Sequence, residues 1–497
     1  MRTGAEYLSS LNDGRQVYLD GQAVDNVAEH PAFAGVARTV ATMFDVAAGP
    51  ERGMQTTRAD GTTVNKVFTA PYSREDLVER RRAIETWAEV SHGWIGRSPD
   101  HVGTYMAAFG AHPEVFTTDT RDYSQNVRDY VKSVQDENLY LAYAIIPPQY
   151  SRATTASGWG EEFIQVGVVE EREDGIVVRG SQMLATGAAI ADEIFVSCIK
   201  PLGPDDVDFA VSFAVPAAAE GLKLYHRRPY APQASSEFDY PLTTRFDEPD
   251  ALVVFDDVFI PWERVFVCRD TDTVRRQFFD TGAHALGNWQ AQIRFTAKLK
   301  FIASVARRVT QVNGTDRIPS VREKLGEIAS LVSLIESAVL AAEYTAEPDE
   351  SGLMIPGARA LYGSMGLQSE MYPRVIAILR DLVGGGVLQL PATVRDLESD
   401  LTRGDLTHYV KSPGVETTER VKLFKLAWDI IGTEFGGRHQ QYEMFYAGAP
   451  FLVKGVYAFN NFGYESLLPE LDAFLASVPS PDVTTTPAPT DTQEVTA

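Results

Sequence analysis

The side chains best suited to nucleophilic or metal chemistry in this 497-residue chain are its eight histidines and two cysteines. Their spacing argues against both chemistries. His30, His92, His101, His112, His226, His284, His408 and His439 include no pair separated by four residues, the interval that puts two imidazoles on one helical face. Cys198 and Cys268 belong to no CxxC or Cys/His ligand pattern. Neither a disulfide framework nor a zinc module is expected, and two buried thiols in a reducing cytoplasm is the default. No GxGxxG follows a strand, and GxxxxGK[ST], HExxH and GxSxG are absent; Gly363-Ser364-Met365-Gly366 is one residue short of the last. Doubly wound nicotinamide binding, P-loop, zincin and α/β-hydrolase chemistry all lose support. The run Gly384-Gly385-Gly386 could approach a phosphate or simply end a helix.

Elements able to position such side chains follow from periodicity. Leu77, Ile84, Trp87 and Ala88 recur at near-helical spacing behind Ser73, a capping residue, and the acidic pair Glu75-Asp76. A helix over 74–91 is predicted, and the N-terminal third reads as helical. Near residue 152 the period shortens to two, with Val and Ile runs broken at the hairpin dipeptide Asp174-Gly175. Strand-like segments continue to about Phe266. Helical spacing then returns, first through Ile293, Leu299, Ile302 and Val305, next through Leu325, Ile328, Val332, Ile335 and Val339. Two further helical stretches, 363–383 and 419–435, complete a bundle. The Pro-, Thr- and Ser-rich tail cannot bury a core and is expected to be disordered.

Length and a 44% hydrophobic content allow more than one core. Lys and Arg number 45 against 68 Asp and Glu, a net charge of −23, with no cationic cluster of the kind that grips nucleic acid. No run of 18 apolar residues and no basic-then-apolar leader is present, so a cytoplasmic chain without a membrane partner is expected.

Four segments occur in order: Gly96-Arg97-Ser98-Pro99-Asp100-His101; Pro148-Gln149-Tyr150-Ser151-Arg152; Met183-Leu184-Ala185-Thr186-Gly187-Ala188 leading to Ala191-Asp192-Glu193; and Glu434-Phe435-Gly436-Gly437-Arg438 followed by Tyr442-Glu443. Together they resemble the 4-hydroxyphenylacetate 3-monooxygenase large-component family, the two-component flavin-dependent hydroxylases of phenols. The resemblance spans roughly Arg2 to Leu467. The segment 255–261 is also similar to the strand that closes the β domain of the wider acyl-CoA dehydrogenase superfamily. The implied fold is α+β and acyl-CoA dehydrogenase-like, with an N-terminal helical domain (1–151), a middle β-barrel (152–267), a C-terminal four-helix bundle (268–477) and the tail (478–497). A homotetramer is implied as well.

The resemblance implies that a separate NAD(P)H-dependent flavin reductase supplies reduced FAD, which reacts with dioxygen to a 4a-hydroperoxyflavin. A phenol then attacks through the carbon ortho to its hydroxyl. Such chemistry calls for a base and a cation at the phenol oxygen, and for exclusion of water. By the same resemblance Arg97 lies near flavin and phenol. Relatives that act on hydroxyphenylacetate carry Tyr where this chain has His101, and His where it has Tyr143, an exchange that makes simple 4-hydroxyphenylacetate a less suitable substrate. His284 lies near a catalytic histidine of halophenol-oxidising relatives. Gln149, Arg152 and Gly448 match flavin contacts, Ser151, Thr154 and Thr155 beside them could donate to it, and Thr186 matches a hydroxyl at the reactive face of the ring system. Catalytic roles are therefore expected for Arg97, His101, Tyr143 and His284. Texture also resembles hydroxylases of natural-product pathways, including those acting on a tyrosine or β-tyrosine derivative held on a carrier protein, with Arg227 and Arg228 as rim cations. Halophenol or nitrophenol oxidation is the alternative substrate class. An acyl-CoA dehydrogenase-like reaction through Glu443, which we read as mainly structural, and a non-catalytic flavin-binding homologue are the alternatives to hydroxylation.

Overall fold

Ser73 accepts the Asp76 N–H at 3.1 Å and starts a helix that runs over Arg74–Ser91, the span predicted from periodicity. In the computed structural model, which describes residues 1–151 and 153–481, this is the third of the N-terminal helices α1 (Gly4–Ser10), α2 (Ala34–Ala48), α3, α4 (Pro99–Ala111) and α5 (Ser124–Glu137). Short strands β1 (Gln16–Leu19), β2 (Gln22–Ala23), β3 (Gln55–Thr57) and β4 (Thr63–Asn65) lie among them. Proline at the start of α4 leaves no N–H to satisfy there, and the helix is buried along almost its whole length.

The middle of the chain carries β5 (Leu141–Ala144), β6 (Gly167–Glu171), β7 (Gly175–Thr186), β8 (Glu193–Val196), β9 (Val211–Pro216), β10 (Leu222–His226), β11 (Asp250–Pro261) and β12 (Val265–Cys268). The hairpin read at Asp174-Gly175 joins β6 to β7. One sheet has the order β2-β1-β10-β11-β7-β6 and the other β12-β9-β8-β5. Phe213 of β9 meets Phe255 of β11 edge-on at 5.8 Å, so the two sheets pack face to face. The expected barrel is thus built from two sheets, and it takes strands β1 and β5 from the segment before residue 152. Both pair in parallel, β1 with β10 and β5 with β8.

After α6 (Thr243–Phe246) and α7 (Thr271–Phe279) come the long helices α8 (Ala283–Val312), α9 (Pro319–Tyr344) and α10 (Ala358–Val383), then α11 (Arg395–Glu398), α12 (Arg403–Tyr409), α13 (Thr417–Ile431) and α14 (Glu434–Phe445). Helices α8, α9, α10 and α13 form the bundle. The Gly384-Gly385-Gly386 run ends α10, with Gly384 at φ +56, as the capping alternative anticipates. The single helix expected over 419–435 is broken after Ile431, because the Thr433 hydroxyl accepts the Gly436 N–H at 3.1 Å and begins a new helix. Among the described residues α9 is long and apolar enough to cross a membrane by length and composition. Its Ile328, Val332, Ile335 and Val339 pack into the core of the bundle. Residues 482–497 of the expected tail, and Arg152, lie outside the described residues.

Candidate active site

Three of the residues expected to act in catalysis converge where α4, β5 and α14 meet. Arg97, in the turn before α4, is held by its main chain at both ends: its N–H donates to Glu248 Oε1 at 2.8 Å, and its carbonyl accepts the Tyr140 hydroxyl at 2.7 Å. A Cβ at neighbouring Gly96 would come within 2.2 Å of the Tyr442 hydroxyl, so the close approach of this turn to α14 requires glycine. The Arg97 guanidinium is buried and faces the rings of Tyr143 (4.9 Å to the centroid), Tyr442 (5.4 Å) and Tyr446 (4.9 Å). Its Nη1 has no hydrogen-bond partner. A buried cation without a carboxylate is costly unless something anionic or strongly accepting completes it.

His101 lies one turn further along α4, its ring 5.4 Å from that of Tyr143 and 5.3 Å from Tyr105. Nδ1 is 3.1 Å from Gln290 Oε1 on α8, and Gln290 Nε2 donates to Asp100 Oδ2 at 3.0 Å. Nε2 is buried and has no partner. Burial, reinforced by the Arg97 charge, holds the imidazole pKa well below its ordinary value, so the ring is neutral at physiological pH. Burial also raises the Tyr143 phenol above its usual range, while Arg97 pulls the other way through its charge and a hydrogen bond. The arrangement offers a cation and a neutral base, each with one unpartnered nitrogen, inside a shell of tyrosine rings. It can bind a hydroxyl and take up its proton.

His284 stands apart from this trio. Its Nδ1 pairs with the Tyr362 hydroxyl at 2.9 Å, and its ring lies among Phe279 (4.9 Å) and Tyr457 (4.7 Å). Burial lowers it to about 4. Thr186, at the end of β7, donates to Asp250 Oδ1 at 2.7 Å. At Gly187 beside it, where φ is +85, a Cβ would come within 2.5 Å of the Tyr140 hydroxyl, a close approach that ties this turn to the one at Arg97. Gln149, Ser151, Thr154 and Thr155 follow β5 on an exposed loop. The Ser151 hydroxyl accepts the Ala153 N–H at 3.2 Å, Thr154 lies near the Gly158 carbonyl, and Thr155 is among the groups that hold the Asp206 carboxyl below its usual range. Gly448, at φ +113, follows α14 two residues after Tyr446.

Other members of the site were not anticipated. Gln290 bonds His101 and Asp100 bonds Gln290 as described, and the rings of Tyr105, Tyr442 and Tyr446 surround His101 and Arg97. Glu248 and Asp250 bind Arg438, through Nη1 to Glu248 Oε2 at 2.9 Å and Nη2 to Asp250 Oδ1 at 2.8 Å. Arg438 thus links Thr186 to the Arg97 main chain. Asp100 and Tyr442 lie within the recognised segments, but a polar residue in a bundle helix, such as Gln290, carries no local signal. Glu443, read as mainly structural, accepts from Arg294 through both oxygens, from Lys298 at 2.9 Å and from Gln368 at 2.9 Å. Although burial opposes ionisation, these cations hold it at about 2. A carboxylate so engaged is a structural anion. Arg227, expected at a basic rim, is instead bound to Asp247 (2.8 Å) and Asp250 (2.7 Å), because these carboxylates outcompete solvent; exposed Arg228 pairs with Glu434 at 3.1 Å.

The family model for the 4-hydroxyphenylacetate 3-hydroxylase N terminal region matches residues 3–267, and the model for the C terminal region matches residues 274–475. The chain belongs to the 4-hydroxyphenylacetate 3-hydroxylase family. It is 35% identical over 457 residues to the 4-hydroxyphenylacetate 3-monooxygenase oxygenase component of Pseudomonas aeruginosa, covering 90% of this chain and 86% of the relative. A (3S)-3-amino-3-(3-chloro-4-hydroxyphenyl)propanoyl-[peptidyl-carrier protein SgcC2] monooxygenase of Streptomyces globisporus is 35% identical over 454 residues, covering 90% and 85%. The oxygenase component of a Rhodococcus 4-nitrophenol 2-monooxygenase is 35% identical over 454 residues, covering 90% and 86%. Among solved structures, the oxygenase component HpaB complexed with FAD and 4-hydroxyphenylacetate superposes with a TM-score of 0.91 at 32% identity, over 96% of this chain and 98% of that one. An archaeal 4-hydroxybutyryl-CoA dehydratase, at 21% identity and a TM-score of 0.85 over 97% and 96%, shares the fold. The hydroxylase family's architecture, with its helical C-terminal region, is the one expected from sequence.

Proposed function

We propose that this chain is the oxygenase component of a two-component monooxygenase that uses reduced FAD and dioxygen to hydroxylate a phenol ortho to its hydroxyl. The observation that carries the reading is the pair of buried, unpartnered atoms, Arg97 Nη1 and His101 Nε2, set with Tyr143 in an aromatic shell. Reduced FAD, when bound, supplies the activation of dioxygen. Gln149, Ser151, Thr154, Thr155, Thr186 and the Gly448 turn would hold it, together with Arg152; the hydroxyls on the exposed loop after β5 and the close approach at Gly187 fit a polar ring system and its phosphates. His101 accepts the phenol proton at Nε2, and Arg97 stabilises the oxygen as it becomes anionic, which raises electron density at the ortho carbon. The tyrosine rings exclude water.

Reduced FAD would come from a separate NAD(P)H-dependent reductase, and the cytoplasm suits a chain whose two cysteines are free and buried. A tyrosine or β-tyrosine derivative tethered to a carrier protein is the substrate we favour. It is supported by the Streptomyces globisporus relative and by the exchange of His101 and Tyr143 relative to hydroxyphenylacetate-type sites. A small nitrophenol or halophenol is the second reading, supported by the Rhodococcus relative. Glu443, locked by Arg294 and Lys298, does not serve an α-proton abstraction.

The test is to load the protein anaerobically with reduced FAD, add 18O-labelled dioxygen, and analyse products from a free tyrosine-derived phenol, its carrier thioester and 4-nitrophenol. A catechol product carrying one labelled oxygen is expected, with the best coupling on the thioester. Replacing Arg97 by Ala should lower product formation by about 100-fold or more while reduced-FAD affinity changes far less. Stoichiometric hydrogen peroxide and no catechol from any of the three phenols would sink the proposal.

A further inference from the structure

We infer that Gln290 is a positioning residue that sets which nitrogen of His101 carries the proton, and so makes His101 a base rather than a donor toward the phenol. This deepens the proposed function and rests on it. Gln290 projects from α8 between His101 and Asp100. Its amide is oriented by Asp100, whose Oδ2 accepts the Nε2 hydrogen at 3.0 Å. The carbonyl end must then face His101, where Oε1 stands 3.1 Å from Nδ1. A carbonyl oxygen only accepts, so Nδ1 bears the hydrogen and Nε2 keeps its lone pair. Nε2 is the buried atom left without a partner, on a ring that packs 5.4 Å from that of Tyr143.

Were the amide reversed, its N–H groups would face Nδ1 and the proton would sit on Nε2. The site would then present two donors, Arg97 and Nε2–H, and would select a phenolate already formed in solution. Two states of the amide therefore predict two different pH dependences. The groups facing His101 that enter the balance are Arg97 on its own turn, Asp100 and Tyr105 on α4, Tyr143 on β5 and Arg294 on α8. Arg97, Arg294, Tyr105 and Tyr143 keep their charge states between pH 5.5 and 7; burial raises the Asp100 carboxyl, and a carboxyl group in either protonation state keeps an oxygen that accepts the Gln290 amide hydrogen.

The experiment measures the dissociation constant of 4-nitrophenol for the full chain saturated anaerobically with reduced FAD, at pH values below the probe's own pKa. Wild type should bind the neutral phenol with an affinity that stays flat as the pH falls. Gln290→Leu, which leaves Nδ1 with no acceptor, should instead lose affinity about tenfold for each pH unit, because only the phenolate is bound. Gln290→Glu keeps an acceptor at Nδ1 and should restore the flat profile, an outcome that packing alone does not provide. A flat profile in Gln290→Leu, a steep one in wild type, or a steep one in Gln290→Glu overturns the inference; the last two are readable even if the Leu variant fails to fold. Absence of phenol binding by wild type would instead overturn the proposed function itself.

Discussion

Tyr143 shows how one side chain can serve the fold and, in the proposed function, the chemistry. It sits on β5, where its neighbours Leu141, Ala142 and Ala144 are buried in the core, while its own ring turns to Arg97 and His101. Its ring lies 4.9 Å from the Arg97 guanidinium carbon, whose Nη1 is without a partner, and the Arg97 charge pulls its phenol pKa down against burial. Tyr143→Phe should preserve the ring packing and remove only the hydroxyl. We expect the phenol dissociation constant to rise about tenfold, the worth of one hydrogen bond to a charged group, as measured by equilibrium titration. An unchanged constant would remove Tyr143 from the site. In the proposed function, the exchange of imidazole and phenol between α4 and β5 would keep a base and a donor at the same oxygen but change which element supplies each, and so change the space left for the rest of the substrate.

At the scale of elements, α4 is anchored at both ends. Its N-terminus is tied through Arg97 to Glu248, and its C-terminal His112 bonds Glu114 through Nδ1 at 2.9 Å and Asp349 through Nε2 at 2.7 Å. Asp349 belongs to the connection between α9 and α10, so the latch joins the N-terminal helices to the bundle. Burial disfavours the His112 charge, but the two carboxylates outweigh it and raise its pKa above the ordinary value near 6.5. A folded-state pKa above the unfolded one contributes stability that is complete below the unfolded value and disappears as the pH rises through the folded one. His112→Gln should therefore lose about 2 kcal/mol relative to wild type at pH 5.5, with the gap narrowing as the solution is made alkaline. Denaturant midpoints at several pH values read this directly. A gap independent of pH would place the charge of His112 outside the latch.

Over the whole molecule, apolar surface is concentrated at the C-terminal end. Leu467, Leu471, Phe474 and Leu475 are exposed on and just before the C-terminal helix Leu468–Ser477, and Leu334, Leu340 and Tyr344 are exposed on α9. Patches of this kind on a monomer mark association surfaces. A homotetramer, the assembly proposed from the family resemblance, would cover them. Light scattering coupled to size-exclusion chromatography should give four times the chain mass of 54.7 kDa, and the double replacement Leu471→Glu with Phe474→Glu should shift the population to smaller species. A wild-type chain that elutes as a monomer at micromolar concentration would end the tetramer proposal.

Local pattern alone reached far in this chain. Helix α3 was legible because capping residue, acidic first turn and apolar spacing agree, and the β6–β7 hairpin because Asp-Gly turns suit few other structures. Arg97, His101 and Tyr143 were legible because they lie in or near short ordered motifs whose residue types resemble one family. What only the tertiary structure decided are pairings between distant residues. Strand β1 is four residues long and joins a sheet through β10, some two hundred residues later, a contact no local window contains. The partition of the arginines was equally hidden: Arg227 and Arg438 are spent on Asp247, Asp250 and Glu248, whereas Arg97 keeps a free Nη1. Composition counts these charges alike. Gln290, an amide inside a bundle helix, gains its meaning from standing between Asp100 and His101, because the tautomer of an imidazole is set by what its other nitrogen touches, and touching is a property of the fold.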